Sequence, residues 1–132
     1  MKESITEIKV RGYHADMYGH VNNARYLELL EEARWNHFES SVDYEEFTKN
    51  GWAFIIVNIN ISYRKPAVPG DTIQIKTAYK THGSRSMTLH QTVFVNGTDT
   101  IAAEADITFV VLDAKTQKVV GLEGRLLEIL TA

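Results

Sequence analysis

Two hydrophobic rhythms divide this chain. In residues 24–38, ARYLELLEEARWNHF, apolar positions recur every three or four residues, with no Gly or Pro to interrupt them. Tyr26, Leu29, Leu30 and Ala33 make the i, i+3, i+4, i+7 stripe that predicts an amphipathic helix. Leu27, Trp35 and Phe38 lie off the stripe, which implies a helix covered on more than one side. From Trp52 onward the rhythm becomes two. Ile55, Val57, Ile59, Ile61 and Tyr63 are expected on one face of a strand, with Asn58, Asn60 and Ser62 on the other. Ile73, Ile75 and Tyr79 repeat the alternation within 72–80. Met87, Leu89, Val93 and Val95 mark the next strand. Ile101, Ala103, Ala105, Ile107, Phe109 and Val111 mark the one after that. Turn residues fall between the runs: Pro66, Pro69 and Gly70, then His82-Gly83-Ser84, then Asn96-Gly97, a strong hairpin signal.

The flanks complete the pattern. Residues 5–12 read as a first strand with Ile8 and Val10 together, and residues 43–50 as a short second helix ended by Gly51. Residues 113–118 turn, and the tail is expected to finish in a short strand and a helical turn. A long helix followed by successive antiparallel strands predicts an α+β domain. The whole span 1–132 reads as one domain, without repeat, linker or low-complexity segment. The strands also carry apolar residues on their second face, at Ile56, Phe94, Val110 and Leu112. One helix covers one face only, so a homo-oligomer is expected to cover the remainder.

Composition narrows the function. A net charge of −3 argues against a dedicated nucleic-acid binder, without forbidding a local basic site for a phosphorylated ligand. The chain has no cysteine, which removes disulfides, thiolate catalysis and Cys-based metal sites. The N-terminal MKESITEIKV lacks the apolar run of a signal peptide, and AFIIV is far too short to span a bilayer. A cytoplasmic location without membrane attachment is the expectation.

Residues 13–26, YHADMYGHVNNARY, bring one carboxylate (Asp16), two histidines (His14, His20), a hinge glycine (Gly19) and two asparagines (Asn22, Asn23) directly before the long helix. A helix start offers free backbone N–H groups and the positive end of the helix dipole. It suits an anion, or an oxygen that becomes one during a reaction. Asn22 or Asn23 can cap the helix, and Asp16 taken alone is equally a loop carboxylate in an Asx turn. His14, Asp16 and His20 match no helical metal-binding spacing, so no metal is expected.

The pattern D-x-x-G-H-V-N-N-x-x-Y-L at 16–27, continuing as E-x-A-R, resembles the acyl-CoA thioesterases of the hotdog fold, in the 4-hydroxybenzoyl-CoA thioesterase-like branch. KVRGYHADMYGHVNNARYLELLEEARW, VNINISYRKPAVPGD, ITFVVLDAKTQK and LEGRL are similar to the bacterial long-chain acyl-CoA thioesterase III group, the FadM type. The resemblance implies an antiparallel sheet wrapped around a long central helix. It implies hydrolysis of long-chain acyl-CoA to free acid and coenzyme A, the latter being part of substrate and product, with no cofactor. It implies a homodimer or homotetramer.

By the same resemblance, Asp16 stands at the catalytic aspartate, as general base or nucleophile, and the Asn23 N–H begins the polarising helix terminus. His20 would orient water or substrate, or satisfy the loop. Arg64 and Lys65, with Ser84 and Arg85, are candidates for the coenzyme A phosphates, or else ordinary loop charge. An apolar tunnel is expected from Tyr26, Leu29, Leu30, Phe54 and Ile56. Glu28, Glu31 and Glu32 offer a rival base, although Glu31 and Arg34 are spaced as an i, i+3 ion pair. The competing functions are a dehydratase, a thioesterase for aromatic or acyl-carrier-protein substrates, and a non-catalytic acyl-thioester binder.

Overall fold

The computed structural model describes residues 2–132. Strand β1 (Ser4–Lys9) leads through a single 3-10 turn (Gly12–His14) to helix α1 (Asn23–Ser41) and helix α2 (Tyr44–Lys49). Strands β2 (Trp52–Tyr63), β3 (Thr72–His82), β4 (Ser86–Val95), β5 (Ile101–Asp113) and β6 (Lys118–Val119) follow, and helix α3 (Gly124–Thr131) ends the fold. All strand pairs are antiparallel, in the order β1-β3-β4-β5-β2, with β6 added to β5. The tail thus forms a full eight-residue helix where a single turn was expected.

The sheet curls around α1, whose stripe is buried as its spacing predicts. Tyr26, Leu29, Leu30 and Ala33 pack with Ile73, Ile75, Val93 and Ile107 in one apolar cluster. Phe38 belongs to a second cluster with Phe109 and Val111, closed by Phe47 of α2 and Leu126, Ile129 and Leu130 of α3. A short polar belt ties α1 to the sheet. Fully buried Gln91 donates from Nε2 to the Leu30 carbonyl and to Thr77 Oγ1, each at 3.0 Å, and its Oε1 accepts from Arg34 Nη1 at 3.2 Å. Such a belt is stable only when its members are satisfied, because an orphaned buried polar group costs roughly 1–3 kcal/mol.

Two β-bulges change the faces that strict alternation predicts. The register of β2 on β5 slips between Ile56 and Asn58, leaving Val57 as the extra residue. Beyond it, Ile59 and Ile61 point inward as expected. Before it the parity is reversed: Phe54 faces inward opposite Val111, and Ile56 pairs with Phe109. Ile55 and Val57 are exposed instead, at 40% and 55%. Ile56 therefore does not belong to the outer face. A second slip, between Val93 and Phe94 on β4, pairs Ile101 with Phe94 and takes it off the face it was expected to share with Ala103. Phe94, Val110 and Leu112 do alternate with the buried inward positions of β4 and β5.

At the far end of α1, His37 is buried and its Nδ1 lies 2.7 Å from Ser4 Oγ. Burial holds the His37 pKa below the ordinary histidine value, and His14 is shifted the same way. The native state keeps both rings neutral, whereas the unfolded chain protonates them below about pH 6.5. Their contribution is therefore intact above that pH and is lost as pH falls toward the lowered native values. Urea midpoints measured at pH 7, 6 and 5 should decline, and His37→Gln should flatten that decline.

Candidate active site

The loop between β1 and α1 is built mainly by backbone bonds. Val10 and Gly70 anchor its start, through Val10 N–H to the Asp71 carbonyl (2.8 Å) and Gly70 N–H to the Val10 carbonyl (2.9 Å). Buried His14 accepts the Arg11 N–H on Nδ1 at 2.9 Å, a structural role. Ala15 and Val21 then face one another as an isolated bridge. It is flanked by Asp16 N–H to His20 carbonyl (2.9 Å) and Asn22 N–H to His14 carbonyl (2.8 Å). The tip turns at Gly19, whose φ of +77° suits a residue without Cβ. Val21 N–H reaches the Ala67 carbonyl at 2.9 Å, which fixes the loop against the β2–β3 connection.

Asp16 sits half-buried within this hairpin. Its Oδ1 accepts the Tyr18 N–H at 2.9 Å, so the Asx turn is real. Its other carboxylate oxygen has no partner among the described residues. Asn22 is the helix cap, its Oδ1 accepting the Ala24 N–H at 2.8 Å. That leaves the Asn23 N–H, at the first position of α1, without an acceptor among the described residues. Asp16, His20, Asn23 and Tyr26 share one cleft of about 270 Å³ with Tyr63, Arg64 and Lys65. A carboxylate, an unpaired main-chain donor at a helix start, and two cations thus open into the same space.

Tyr63 is a member that alternation alone did not single out. Its hydroxyl donates to the Asn23 carbonyl at 3.0 Å, and its ring centroid lies 5.5 Å from that of Tyr26. Its position as the last residue of β2, before Arg64 and Lys65, was the available signal. The Tyr26 hydroxyl is pushed up to about 12, by burial first and then by Tyr63 and Asp71, so it remains a protonated donor. Arg64 and Lys65 both donate their N–H to the Ala102 carbonyl, at 2.8 and 3.2 Å. Arg64 approaches Glu104 at 3.6 Å, whereas Lys65 has no ion-pair partner among the described residues.

Ser84 and Arg85 lie elsewhere. They occupy the β3–β4 turn, where the Ser84 carbonyl accepts the Leu122 N–H at 2.8 Å. Neighbouring Ser86 pairs with Val110, which pairs with Ile55, so they stand at the end of the sheet opposite Tyr63. The helix glutamates do not line the Asp16 cleft. Glu28 pairs with Arg25 at 2.8 Å. Glu31 accepts the Trp35 Nε1–H at 3.4 Å and does not form the expected ion pair with Arg34, which turns inward to Gln91.

A second cavity, a groove of about 290 Å³, opens at the Phe54 end of β2. Phe38 and Phe54 stack there at 4.0 Å, with Phe47 at 4.2 Å from Phe54. Ile56, Glu31 and Arg34 also line it. Of the expected tunnel residues, Phe54 and Ile56 line this groove, Tyr26 lines the cleft, and Leu29 and Leu30 are buried in the core. The two cavities lie at opposite ends of one seam, since α1 meets β2 at Asn23–Tyr63 and again at Phe38–Phe54.

A curled antiparallel sheet closed on a long helix, with a carboxylate hairpin at the helix start, is the hotdog architecture of thioesterases. The chain belongs to the thioesterase-like superfamily, whose family profile matches residues 10–130. It is 50% identical to the long-chain acyl-CoA thioesterase FadM of Escherichia coli over 123 residues, 93% of either chain. The crystal structure of Escherichia coli YbaW is 49% identical, with a TM-score of 0.91 over 96% of this chain and 95% of that one. A DHNA-CoA thioesterase from Staphylococcus aureus shares the fold at 20% identity and a TM-score of 0.83, over 97% of this chain and 86% of that one.

Proposed function

We propose that this chain hydrolyses long-chain acyl-CoA thioesters, releasing free fatty acid and coenzyme A in the cytoplasm. The observation that carries the reading is the sharing of one cleft by Asp16 and the unpaired Asn23 N–H, at the head of the α1–β2 seam. The thioester carbonyl oxygen accepts the Asn23 N–H, at the positive end of α1. One such donor is typically worth roughly 3–4 kcal/mol of barrier. With Asp16 as base, the carboxylate takes a proton from water as the water oxygen bonds to the carbonyl carbon. Collapse of the tetrahedral intermediate breaks the C–S bond, and the departing sulfur takes that proton. With Asp16 as nucleophile, its oxygen displaces the sulfur and water then cleaves the mixed anhydride. The products are the same, and neither route calls for a metal or redox group. Lys65 and Arg64 face the phosphates of coenzyme A, His20 lies at the rim, and Tyr26 offers a neutral donor.

The seam supports a long acyl chain. From Asn23 to Phe38 the helix rises ~22 Å, and the aromatic groove lies at the far end. The similarity to the long-chain acyl-CoA thioesterase of Escherichia coli supports the same substrate class. The outer edge of β2 is unpaired among the described residues, and exposed Ile55 and Val57 stand along it. Antiparallel pairing with β2 of a second copy would satisfy that edge, so the working unit in this reading is a homodimer or a larger homo-oligomer. Among the described residues, no helix is long and apolar enough to cross a membrane.

The test is a profile of initial rate against acyl length, from butyryl- to stearoyl-CoA with benzoyl-CoA included, followed by a thiol reagent. kcat/KM is expected to rise with length and to level off once the chain fills the seam. Preference for benzoyl-CoA would move the assignment to aromatic thioesters, and no turnover of any acyl-CoA would overturn it.

A further inference from the structure

Arg34 is used by none of the chemistry above. It is only 5% exposed, yet its guanidinium makes one hydrogen bond among the described residues, Nη1 to Gln91 Oε1 at 3.2 Å. Among the described residues, no carboxylate lies within ion-pair distance of it. A guanidinium has five N–H donors. No fully buried side-chain nitrogen or oxygen lacks a partner among the described residues, so the unsatisfied guanidinium nitrogens keep their access through the aromatic groove that Arg34 lines. Burial also lowers the Arg34 pKa, the mark of a cation poorly compensated by its own chain. Exposed Glu31, one turn earlier, lines the same groove and can only accept.

We infer that the groove between Arg34 and Glu31 receives a hydroxyl group carried far along the acyl chain, so that hydroxylated long-chain acyl-CoA is the preferred substrate class. The inference rests on the acyl-CoA hydrolase reading and deepens it. A hydroxyl is both donor and acceptor: its oxygen accepts from Arg34 and its hydrogen goes to Glu31. A plain methylene offers neither and leaves the guanidinium unsatisfied against the aromatic wall. A ketone would serve Arg34 alone, and a carboxylate would be repelled by Glu31. The position follows from the helix: Asn23 to Arg34 is eleven residues, ~16 Å, which an extended chain advancing ~1.3 Å per bond covers near its fourteenth carbon.

The experiment compares kcat/KM for palmitoyl-CoA with its 3-, 14- and 16-hydroxy derivatives, in the wild type, Arg34→Met and Glu31→Ala. Taking ratios within each variant cancels any general loss of activity. The wild type is expected to favour 14-hydroxypalmitoyl-CoA, and Arg34→Met to lower that ratio roughly tenfold. Glu31→Ala, at an exposed position, is expected to lower it less and serves if Arg34→Met fails to fold. The 3-hydroxy ratio should not change. A 14-hydroxy ratio unaltered in Glu31→Ala and in any folded Arg34→Met overturns the inference while leaving the hydrolase reading intact. So does an unaltered ratio accompanied by dissociation of Arg34→Met on size exclusion, which would assign Arg34 to a subunit contact. Failure to hydrolyse any of these thioesters would overturn both.

Discussion

Replacing Asp16 with asparagine is expected to lower kcat on palmitoyl-CoA by roughly 10²–10⁴-fold, the usual contribution of a positioned acid or base. The asparagine variant isolates charge from shape. Its amide oxygen can still accept the Tyr18 N–H that Asp16 Oδ1 accepts at 2.9 Å, so the turn at the hairpin tip survives. Basicity and nucleophilicity are what it removes. Asp16→Ala removes the turn contact as well, and should be as inactive or more so. Both variants should unfold near the wild-type urea midpoint, since the hairpin is held by main-chain bonds from Asp16, Asn22 and Val21 that neither change touches. A full-rate Asp16→Asn enzyme would reduce the residue to its turn. A single turnover in heavy-oxygen water separates the two chemical routes: label in the enzyme carboxylate marks the anhydride, and label in the acid alone marks direct attack by water.

Phe109→Ala should produce the largest loss of stability, about 3–5 kcal/mol. Phe109 is fully buried on β5 where α1, β2 and β4 converge. Its ring meets Phe38 edge-on at 5.9 Å and Phe54 at 5.3 Å. Truncation would leave a void facing two aromatic rings that their own strands and helix prevent from collapsing inward. Domains of this size are stable by only about 5–15 kcal/mol, so the urea midpoint should fall by a large fraction. A shift under about 1 kcal/mol would mean that the groove residues relax to fill the space, and that the aromatic wall is mobile.

The parts of this architecture that regular spacing encodes could be read from the chain. The buried stripe of α1 and the inward residues of β4 follow from periods of 3.6 and two. The turn, hinge and cap of the loop before α1 were legible because Asp16, Gly19 and Asn22 each have a local backbone role; its pairing into a hairpin was not. The bulges were not. Neither Val57 nor Ala102 is a glycine or proline, and an extra residue in a ladder is defined only by its partner strand. The slip at Val57 takes Ile56 out of the expected second-face patch and sets it beside Phe54 in the groove. Arg34 was misread because its three-residue spacing from Glu31 outweighed its four-residue spacing from Leu30, the one that places it on the buried face. Tyr63 was visible as a strand residue, but its bond to Asn23 spans forty positions and has no local signature. Ser84 and Arg85 had the right chemistry at a turn, and only the strand register shows which end of the sheet that turn occupies.

The bridge between Ala15 and Val21 makes the hairpin independent of the side chains at its tip. Met17 and Tyr18 project outward at 90% and 77% exposure, while the stem beneath them is stitched by peptide groups that every residue but proline supplies. Mutational drift at those two positions is therefore uncoupled from the placement of the carboxylate. The tip is a replaceable cassette, a place where variation, natural or engineered, can reshape the mouth of the cleft without disturbing its chemistry.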